Sequence, residues 1–402
     1  MDVTDCTKKE WDFLKPLKTT LKCKNVVKAA TDSHGSIYIT GTIQDGAKEG
    51  DHQFPSNSFL GKYDCNGEML WLKPVSTSCS VITRAIAVNP RGNVYITGYT
   101  TGCDNNQDID VYIAKYKGSN GQLEWFDILG TTAWEEGFAI AVDNEHNVYI
   151  TGYTQGELKE GAHKGAEDIF IARYSSDGKK QWLEQLGTKA SDLGLGIAVD
   201  NKGNAYITGC TQEDLKPMAH KGGEDIFIAR YSSDGKKQWL EQLGTKATDV
   251  GLGIAADSSG NIFVTGYTAG DFNDETKMKG PLSVFLARYA KDGEKQRREE
   301  QLSLPGPAEG KKITTDSEGN IYISGYIRDP APGTKKGPAD IFFAIFSKSG
   351  ERQCTILNAS WCDKTSGVII DGKGCVYFVG AANCETKEAK KGDIILAKYS
   401  GE

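Results

Sequence analysis

The sequence predicts an all-β fold, a seven-bladed β-propeller whose blades are four-stranded antiparallel sheets. Three observations lead to this prediction: a strand-rich repeat that occurs seven times, a period too long for most helical repeats, and complementary chain ends. All 402 residues are therefore assigned to a single propeller domain, residues 1–402.

The repeat is clearest in residues 196–209, which are typical of a strand, a tight turn and a second strand. Ile197 and Val199 alternate with small residues, as in a strand with one buried face. Asp200 begins the turn, and Gly203 supplies the positive φ that such a turn needs. The glycine that ends the second strand marks each copy, at Gly41, Gly98, Gly152, Gly209, Gly266, Gly325 and Gly380.

These glycines are 57, 54, 57, 57, 59 and 55 residues apart. The third-to-fourth repeat contains four candidate strands. They cover residues 138–142, 147–151, 168–174 and 181–186. A repeat of this length without an amphipathic helix indicates one propeller blade.

The two chain ends complement each other. The last repeat stops at residues 393–399, before its fourth strand, whereas residues 8–14 match residues 179–185 with Trp11 in register with Trp182. The N-terminal strand, at about residues 8–15, is therefore predicted to complete the C-terminal blade and close the ring, which leaves no open array edge.

The repeat resembles the SBBP-type β-propeller repeat. Residues 168–174 and 225–231 both read Asp-Ile-Phe-Ile-Ala-Arg-Tyr, and the first copy is followed by an Asp-Gly turn, a tryptophan and Thr208-Gly209. The resemblance extends from Trp11 to Tyr399. It implies a propeller without catalytic residues, of a kind found mostly in bacterial cell-surface or envelope proteins. In this sequence Arg297 and Cys354 replace the tryptophan, and His146 replaces the turn glycine, a substitution that a histidine at positive φ tolerates.

The composition and charge of the chain argue against a nucleic-acid partner and a membrane span. Hydrophobic residues make up 38% and charged residues 25% of the chain, the net charge is -7, and no apolar run approaches the length of a membrane span. We therefore expect no nucleic-acid partner and no membrane span. The resemblance to SBBP repeats favours an extracellular or envelope location. Because the N-terminal residues do not resemble a signal peptide, a cytoplasmic location is the alternative.

The long connections that enter each inner strand, and those between the second and third strands, are predicted to share one face, the default ligand face. Five of the seven tryptophans occupy one repeat position and are predicted to pack between blades. The other two, and charged residues near them, are the candidate ligand-binding residues: Trp134, Glu135, Glu136, His163, Lys164, His220, Lys221 and Trp361. Residues 162–200 and 219–257 differ at four of 39 positions, which indicates a recent duplication of one packing unit.

No catalytic, metal or cofactor site is predicted. The five histidines are scattered, no Cys-x-x-Cys or phosphate-binding loop occurs, and the aspartates of the short turns are expected to be structural. The predicted function is a non-catalytic binding or scaffold propeller for a protein or carbohydrate ligand. The alternatives are a lectin-like carbohydrate binder and an enzyme with carboxylates at the channel mouth.

Four of the ten cysteines fall at equivalent places in two blades. Cys79 and Cys103 lie in the two long loops of the second blade, and Cys362 and Cys384 lie in those of the last. The pairs 79–103 and 362–384 are candidate disulfides, with free buried thiols as the alternative. Cys354 takes the place of a tryptophan and is predicted to lie in the core. Disulfides at these positions would indicate an oxidising compartment.

Overall fold

The fold is described from a computed structural model, which covers residues 13–17, 23–43, 48–49, 52–53, 58–75, 80–101, 108–272, 278–302, 304–327, 340–358, 363–371, 375–382 and 393–399. Over these residues the chain forms seven four-stranded antiparallel sheets and one two-stranded hairpin. The predicted fold class, blade count and strand order are confirmed.

The strands within the described residues are, in chain order, β1 (Phe13–Pro16), β2 (Cys23–Thr31), β3 (Ile37–Ile43), β4 (Lys48–Glu49), β5 (His52–Gln53), β6 (Ser58–Tyr63), β7 (Met69–Pro74), β8 (Ser80–Val88), β9 (Val94–Thr101), β10 (Val111–Tyr116), β11 (Leu123–Leu129), β12 (Glu135–Val142), β13 (Val148–Thr154), β14 (Asp168–Tyr174), β15 (Lys180–Leu186), β16 (Asp192–Val199), β17 (Ala205–Thr211), β18 (Asp225–Tyr231), β19 (Lys237–Leu243), β20 (Asp249–Ala256), β21 (Ile262–Gly270), β22 (Met278–Tyr289), β23 (Lys295–Leu302), β24 (Ala308–Thr315), β25 (Ile321–Ile327), β26 (Asp340–Phe346), β27 (Arg352–Asn358), β28 (Asp363–Ile370), β29 (Val376–Ala382) and β30 (Ile394–Tyr399).

Each blade runs outward from an inner strand. The blades are β2-β3-β6-β7, β8 to β11, β12 to β15, β16 to β19, β20 to β23, β24 to β27, and β28-β29-β30-β1, which we number 1 to 7. The inner strands of neighbouring blades contact one another around a closed circle, including β28 with β2. Strand β1 pairs antiparallel with β30, with Phe13 opposite Lys398. The predicted position of Trp11 lies outside the described residues.

The inner hairpin is held by a turn aspartate in six blades and by Asn89 in blade 2. In blade 4, Asp200 Oδ1 accepts the backbone N–H groups of Lys202 and Asn204, and Asp200 Oδ2 accepts the Tyr206 hydroxyl at 3.1 Å. Gly203 has the predicted positive φ of 75°, and in blade 3 His146 adopts 68° in its place. Because the carboxylate is occupied by its own hairpin, the turn aspartates are structural, as predicted.

Each inner strand contains a β-bulge, and the bulge explains the marker glycines. In blade 4 the pairing shifts between Gly194 and Gly196, so Leu195 is the extra residue. A Cβ atom added to Gly209 would lie 1.7 Å from the Leu193 carbonyl oxygen, and four other marker glycines meet the same obstacle. Only glycine therefore lets the second strand approach the bulge this closely.

The tryptophans connect neighbouring blades. Trp182 donates its Nε1–H to the Ser233 carbonyl in the turn of blade 4 at 2.9 Å, and its ring lies under Gly235 of the same turn. Equivalent bonds run from Trp71 to Gly118, from Trp125 to Ser176, and from Trp239 to Lys291. This is the inter-blade packing that the repeat position predicted.

Candidate binding surface

The strand order places the two kinds of connection on opposite faces of the ring. The Asp-Gly and Ser-Gly hairpin turns form one face. The segments that enter the inner strands, such as 130–134 and 187–191, lie with the connections 155–167 and 212–224 on the other, which we call the loop face. Every sequence-predicted ligand residue that the structure describes belongs to the loop face or to the strand ends below it.

Trp134 is an exposed aromatic side chain on a fixed backbone. It forms a parallel bridge with Ile109, and its carbonyl accepts the Gln155 N–H at 2.9 Å. Its side chain nevertheless leaves the residue 53% exposed. The same backbone pattern in blades 4 and 5 carries Ser191 and Thr248. The tryptophan is therefore not needed for the backbone geometry, and its exposure suits a contact with a ligand.

Glu135 is not part of an exposed patch, and its assignment as a ligand residue is corrected. It is fully buried, and its carboxylate accepts the Thr131 N–H at 2.9 Å and the hydroxyls of Thr131 and Thr154 at 2.7 and 2.8 Å. Asp192 and Asp249 hold the same register position in the next two blades. Glu135 therefore fastens the entry loop of blade 3 to its sheet.

His163 and His220 anchor the two long loops. Their Nδ1 atoms lie 3.3 and 3.4 Å from the buried carboxylates of Asp168 and Asp225. The residues that follow them, Lys164 and Lys221, are exposed, although the backbone N–H of each donates to the same aspartate as the histidine contacts. Each histidine thus lies beside a buried aspartate, and Lys164 and Lys221 are exposed.

Glu136 lies at the loop-face mouth of the central channel. Its carboxylate pairs with Arg84 Nη2 of blade 2 at 3.1 Å. The Arg84 guanidinium also lies over the rings of Tyr99 and Phe138, at 5.2 and 5.8 Å from their centroids. Burial, followed by the Glu136 charge, raises the pKa of Tyr153 to about 12. This part of the mouth is a mixed-charge aromatic cluster.

Met218 is an exposed apolar residue of the loop face that was not among the predicted ligand residues. It lies in the loop 212–224, is 94% exposed, and has a φ of 56°, whereas the equivalent position of the loop 155–167 is Gly161 with a φ of 71°. An exposed apolar residue in the left-handed region is unfavourable on both counts. The signal was present in the sequence, since the duplicated loops differ there by methionine against glycine.

Several predicted residues lie outside the described residues, namely Trp361 and the four cysteines of the candidate pairs, Cys79, Cys103, Cys362 and Cys384. Cys354 is buried, as predicted, and it is also disulfide-bonded, which was not predicted. Among the cysteines whose side chains are described, Cys65, Cys210 and Cys375 are free thiols. Burial raises the pKa of the Cys210 thiol, which therefore stays protonated.

Two structural absences apply to the described ranges only. They contain no cluster of three or more His, Cys, Asp or Glu side chains arranged to hold a metal ion. They also contain no helix with the length and hydrophobicity that crossing a bilayer requires.

The repeat matches a known protein family. The sequence model of the SBBP β-propeller repeat matches residues 124–159, 181–216, 238–273 and 301–327, that is, the outer strand of one blade together with the inner hairpin of the next. The chain thus carries matches to the SBBP β-propeller repeat at four positions. All four matched segments include a bulged inner strand, and the first three also include the interface tryptophan.

Two relatives share part of the sequence. An uncharacterized WD repeat-containing protein of Acanthamoeba polyphaga mimivirus is 23% identical over 220 residues, which cover 42% of this chain and 16% of the relative. The regulatory protein FlaEY of Caulobacter vibrioides is 27% identical over 172 residues, which cover 40% of this chain and 18% of the relative. The matched segments thus cover less than a fifth of either relative.

A solved structure shares the fold. YCF48 bound to a peptide aligns over 100% of this chain and 98% of its own, with a TM-score of 0.53 and 10% identity. At this identity the likeness concerns the propeller fold alone.

Proposed function

We propose that this propeller is a non-catalytic binding module that recognises another protein through its loop face. The observation that carries the proposal is Trp134, a large aromatic residue that remains exposed while its backbone is fixed on both sides. A rigid aromatic side chain contributes a large contact area without much loss of conformational entropy on binding.

Other residues of the loop face favour a protein over a sugar. Met218 adds a second exposed apolar side chain on the loop face, and Glu136, Lys164 and Lys221 supply charges of both signs. An apolar anchor within a polar, mixed-charge rim is typical of protein interfaces. The relatives named as a WD repeat-containing protein and a regulatory protein agree with this function class.

The test compares the wild type with Trp134→Ser. Serine is the residue that blade 4 carries in the same backbone setting, so the variant is expected to fold with an unchanged melting temperature. A peptide selected from a displayed library against the wild type should bind the variant about 30-fold more weakly, the loss expected for a ~2 kcal/mol hot spot. Leu70→Ser is the matched control, because Leu70 is 56% exposed but lies on an outer strand of blade 1.

The same proteins should be applied to a glycan array. Carbohydrate binding that depends on Trp134 would replace the protein-binding proposal by the lectin alternative, since an exposed tryptophan also stacks on sugar rings. Selected peptides that bind the wild type and Trp134→Ser equally well would refute the assignment of this surface.

We further propose that the protein works in an oxidising compartment, outside the cell or in its envelope. The disulfide at Cys354 supports this, because reduced cytosol does not maintain structural disulfides. Mass spectrometry of alkylated, unreduced protein from its native compartment should identify the partner of Cys354. It should also show whether the bridges Cys79–Cys103 and Cys362–Cys384 form. Complete alkylation of all cysteines would contradict the proposed location.

A further inference from the structure

The central channel contains a pair of lysines that the loop-face function does not use. They occupy the first position after the bulge of the inner strand. This position lies opposite Thr40 of the second strand in blade 1 and opposite Ser324 in blade 6. Five blades carry a small residue at this position, namely Ala85, Ala139, Gly196, Gly253 and Gly367. Blades 1 and 6 carry Lys28 and Lys312 instead.

The two lysines flank an open space. Blade 7 lies between their blades and contributes Gly367, where an added Cβ atom would meet only Lys312 Cγ, at 3.7 Å. Both side chains line a cavity of about 330 Å³ that is formed by all seven inner strands. Both remain partly accessible to this cavity. A volume of this size accommodates a small ligand group.

Among the residues that the structure describes, the two lysines differ from the neighbouring cations because no carboxylate forms an ion pair with them. At the bulge position just before the cavity, Arg84 pairs with Glu136 at 3.1 Å and Lys311 pairs with Glu309 at 2.6 Å. Within the described part of the chain no carboxylate pairs with Lys28 or Lys312. The channel therefore concentrates positive charge in a protein whose net charge is -7.

Burial and the nearby cations lower the pKa values of the two lysines. Burial, followed by the charges of Lys312, Lys311 and Arg84, lowers the pKa of Lys28 to about 7. Burial also lowers the pKa of Lys312. Each ammonium is thus destabilised in the channel, and a negative charge placed between the two would remove part of that cost.

The backbone offers further donors. Each inner strand lies at the edge of its sheet, so the N–H groups on its channel side have no partner in the ladder. Backbone N–H groups and ammonium groups together are the donors that bind carboxylate and phosphate oxygens in proteins.

We propose that the channel binds a small oxyanion, a carboxylate or phosphate group, between Lys28 and Lys312. The group is either a free ion or the acidic end of a larger ligand that enters from a channel mouth. The site is separate from the Trp134 surface, and the two are tested independently.

Isothermal titration calorimetry with inorganic phosphate, sulfate and acetate tests the proposal. The variants are Lys28→Ala and Lys312→Ala, since alanine is the residue that blades 2 and 3 carry at this position. Each should weaken binding at least about tenfold, as expected when one charge-assisted contact is lost. Lys202→Ala is the control, because Lys202 is exposed in the turn of blade 4 and should bind like the wild type.

Proton uptake provides a second readout. A bound anion favours the ammonium form of Lys28, so binding should take up protons near neutral pH and weaken as the pH rises from about 7 to about 9. The charged groups acting on Lys28 among the described residues are Lys312, Lys311 and Arg84, and all are cations. Titrations in two buffers of different ionisation enthalpy measure the uptake.

The outcomes separate clearly. Phosphate or sulfate binding without acetate binding identifies a phosphate-type ligand, and acetate binding identifies a carboxylate. If no anion binds the wild type at millimolar concentration, or if both alanine variants bind as the wild type does, the proposal is overturned. Circular dichroism checks that the variants fold, and Lys28→Met, which preserves side-chain length, replaces Lys28→Ala if the alanine variant does not.

Discussion

The buried carboxyl of Asp249 allows a quantitative test of how the loops are fastened to the ring. Asp249 begins the inner strand of blade 5, is 0% exposed, and accepts the Thr245 N–H and hydroxyl at 2.6 and 2.8 Å. Burial outweighs these hydrogen bonds, and the charge of Asp225 adds to it. Together they raise the pKa of Asp249 from 3.8 to about 6.

The sign of the pH dependence follows from this shift. Because the native pKa lies above the unfolded one, the native state holds the proton more tightly. The resulting stabilisation is fully present below pH 3.8 and is lost as the pH rises through about 6. At 1.36 kcal/mol per pKa unit, raising the pKa from 3.8 to about 6 corresponds to about 3 kcal/mol.

This free energy converts to a measurable melting shift. With an unfolding entropy of about 2.1 cal/mol/K per residue over 402 residues, 1 kcal/mol corresponds to about 1.2 °C. The Asp249→Asn variant cannot ionise. Its melting temperature relative to that of the wild type should therefore rise by about 3 °C between about pH 4 and about pH 7.5.

Thermal unfolding followed by circular dichroism at several pH values measures this difference. Asp292→Asn is the control, since Asp292 is exposed in a turn of the same blade and its bond to the Glu294 N–H survives the substitution. Asp192→Asn should behave like Asp249→Asn, because burial also raises the pKa of Asp192 in blade 4. A difference between wild type and Asp249→Asn that stays constant with pH would refute the reasoning.

Two further substitutions test the repeated contacts. Trp182→Ala should lower the free energy of unfolding by about 3 kcal/mol, because it removes a large ring from the blade interface and the bond to the Ser233 carbonyl; a melting shift below 1 °C would contradict this role. Tyr206→Phe should cost only about 1 kcal/mol, the value of its bond to Asp200. Blade 5 already has Phe263 at this place, so failure of this variant to fold would show that the hydroxyl has another role.

Much of the fold could be predicted because its determinants are local. The turn at Asp200 depends on four or five consecutive residues, and Gly203 and His146 adopt the positive φ that their positions indicated. The requirement for glycine at Gly209 could be recognised as a repeat but not explained from sequence. Its cause is the Leu193 carbonyl of the neighbouring strand, a contact that only the bulged pairing creates.

The binding surface was less predictable because adjacent residues of a strand point to opposite sides. Glu135 and Glu136 are neighbours in sequence, yet the first is fully buried and the second reaches the channel mouth. A comparison between blades would have identified Glu135 as structural, since Asp192 and Asp249 are acidic at the same place.

Departures from the repeat are therefore better evidence of function here than the repeat itself. A residue that recurs in every blade serves packing, because stacked blades all face the same neighbours. Trp134 replaces serine or threonine and remains exposed, and Lys28 and Lys312 replace alanine or glycine and bring positive charge into a channel. Neither change improves the packing or electrostatics of the isolated ring. A ligand that contacts these side chains would account for both, and the two proposed sites follow from applying this criterion to each position of the blade.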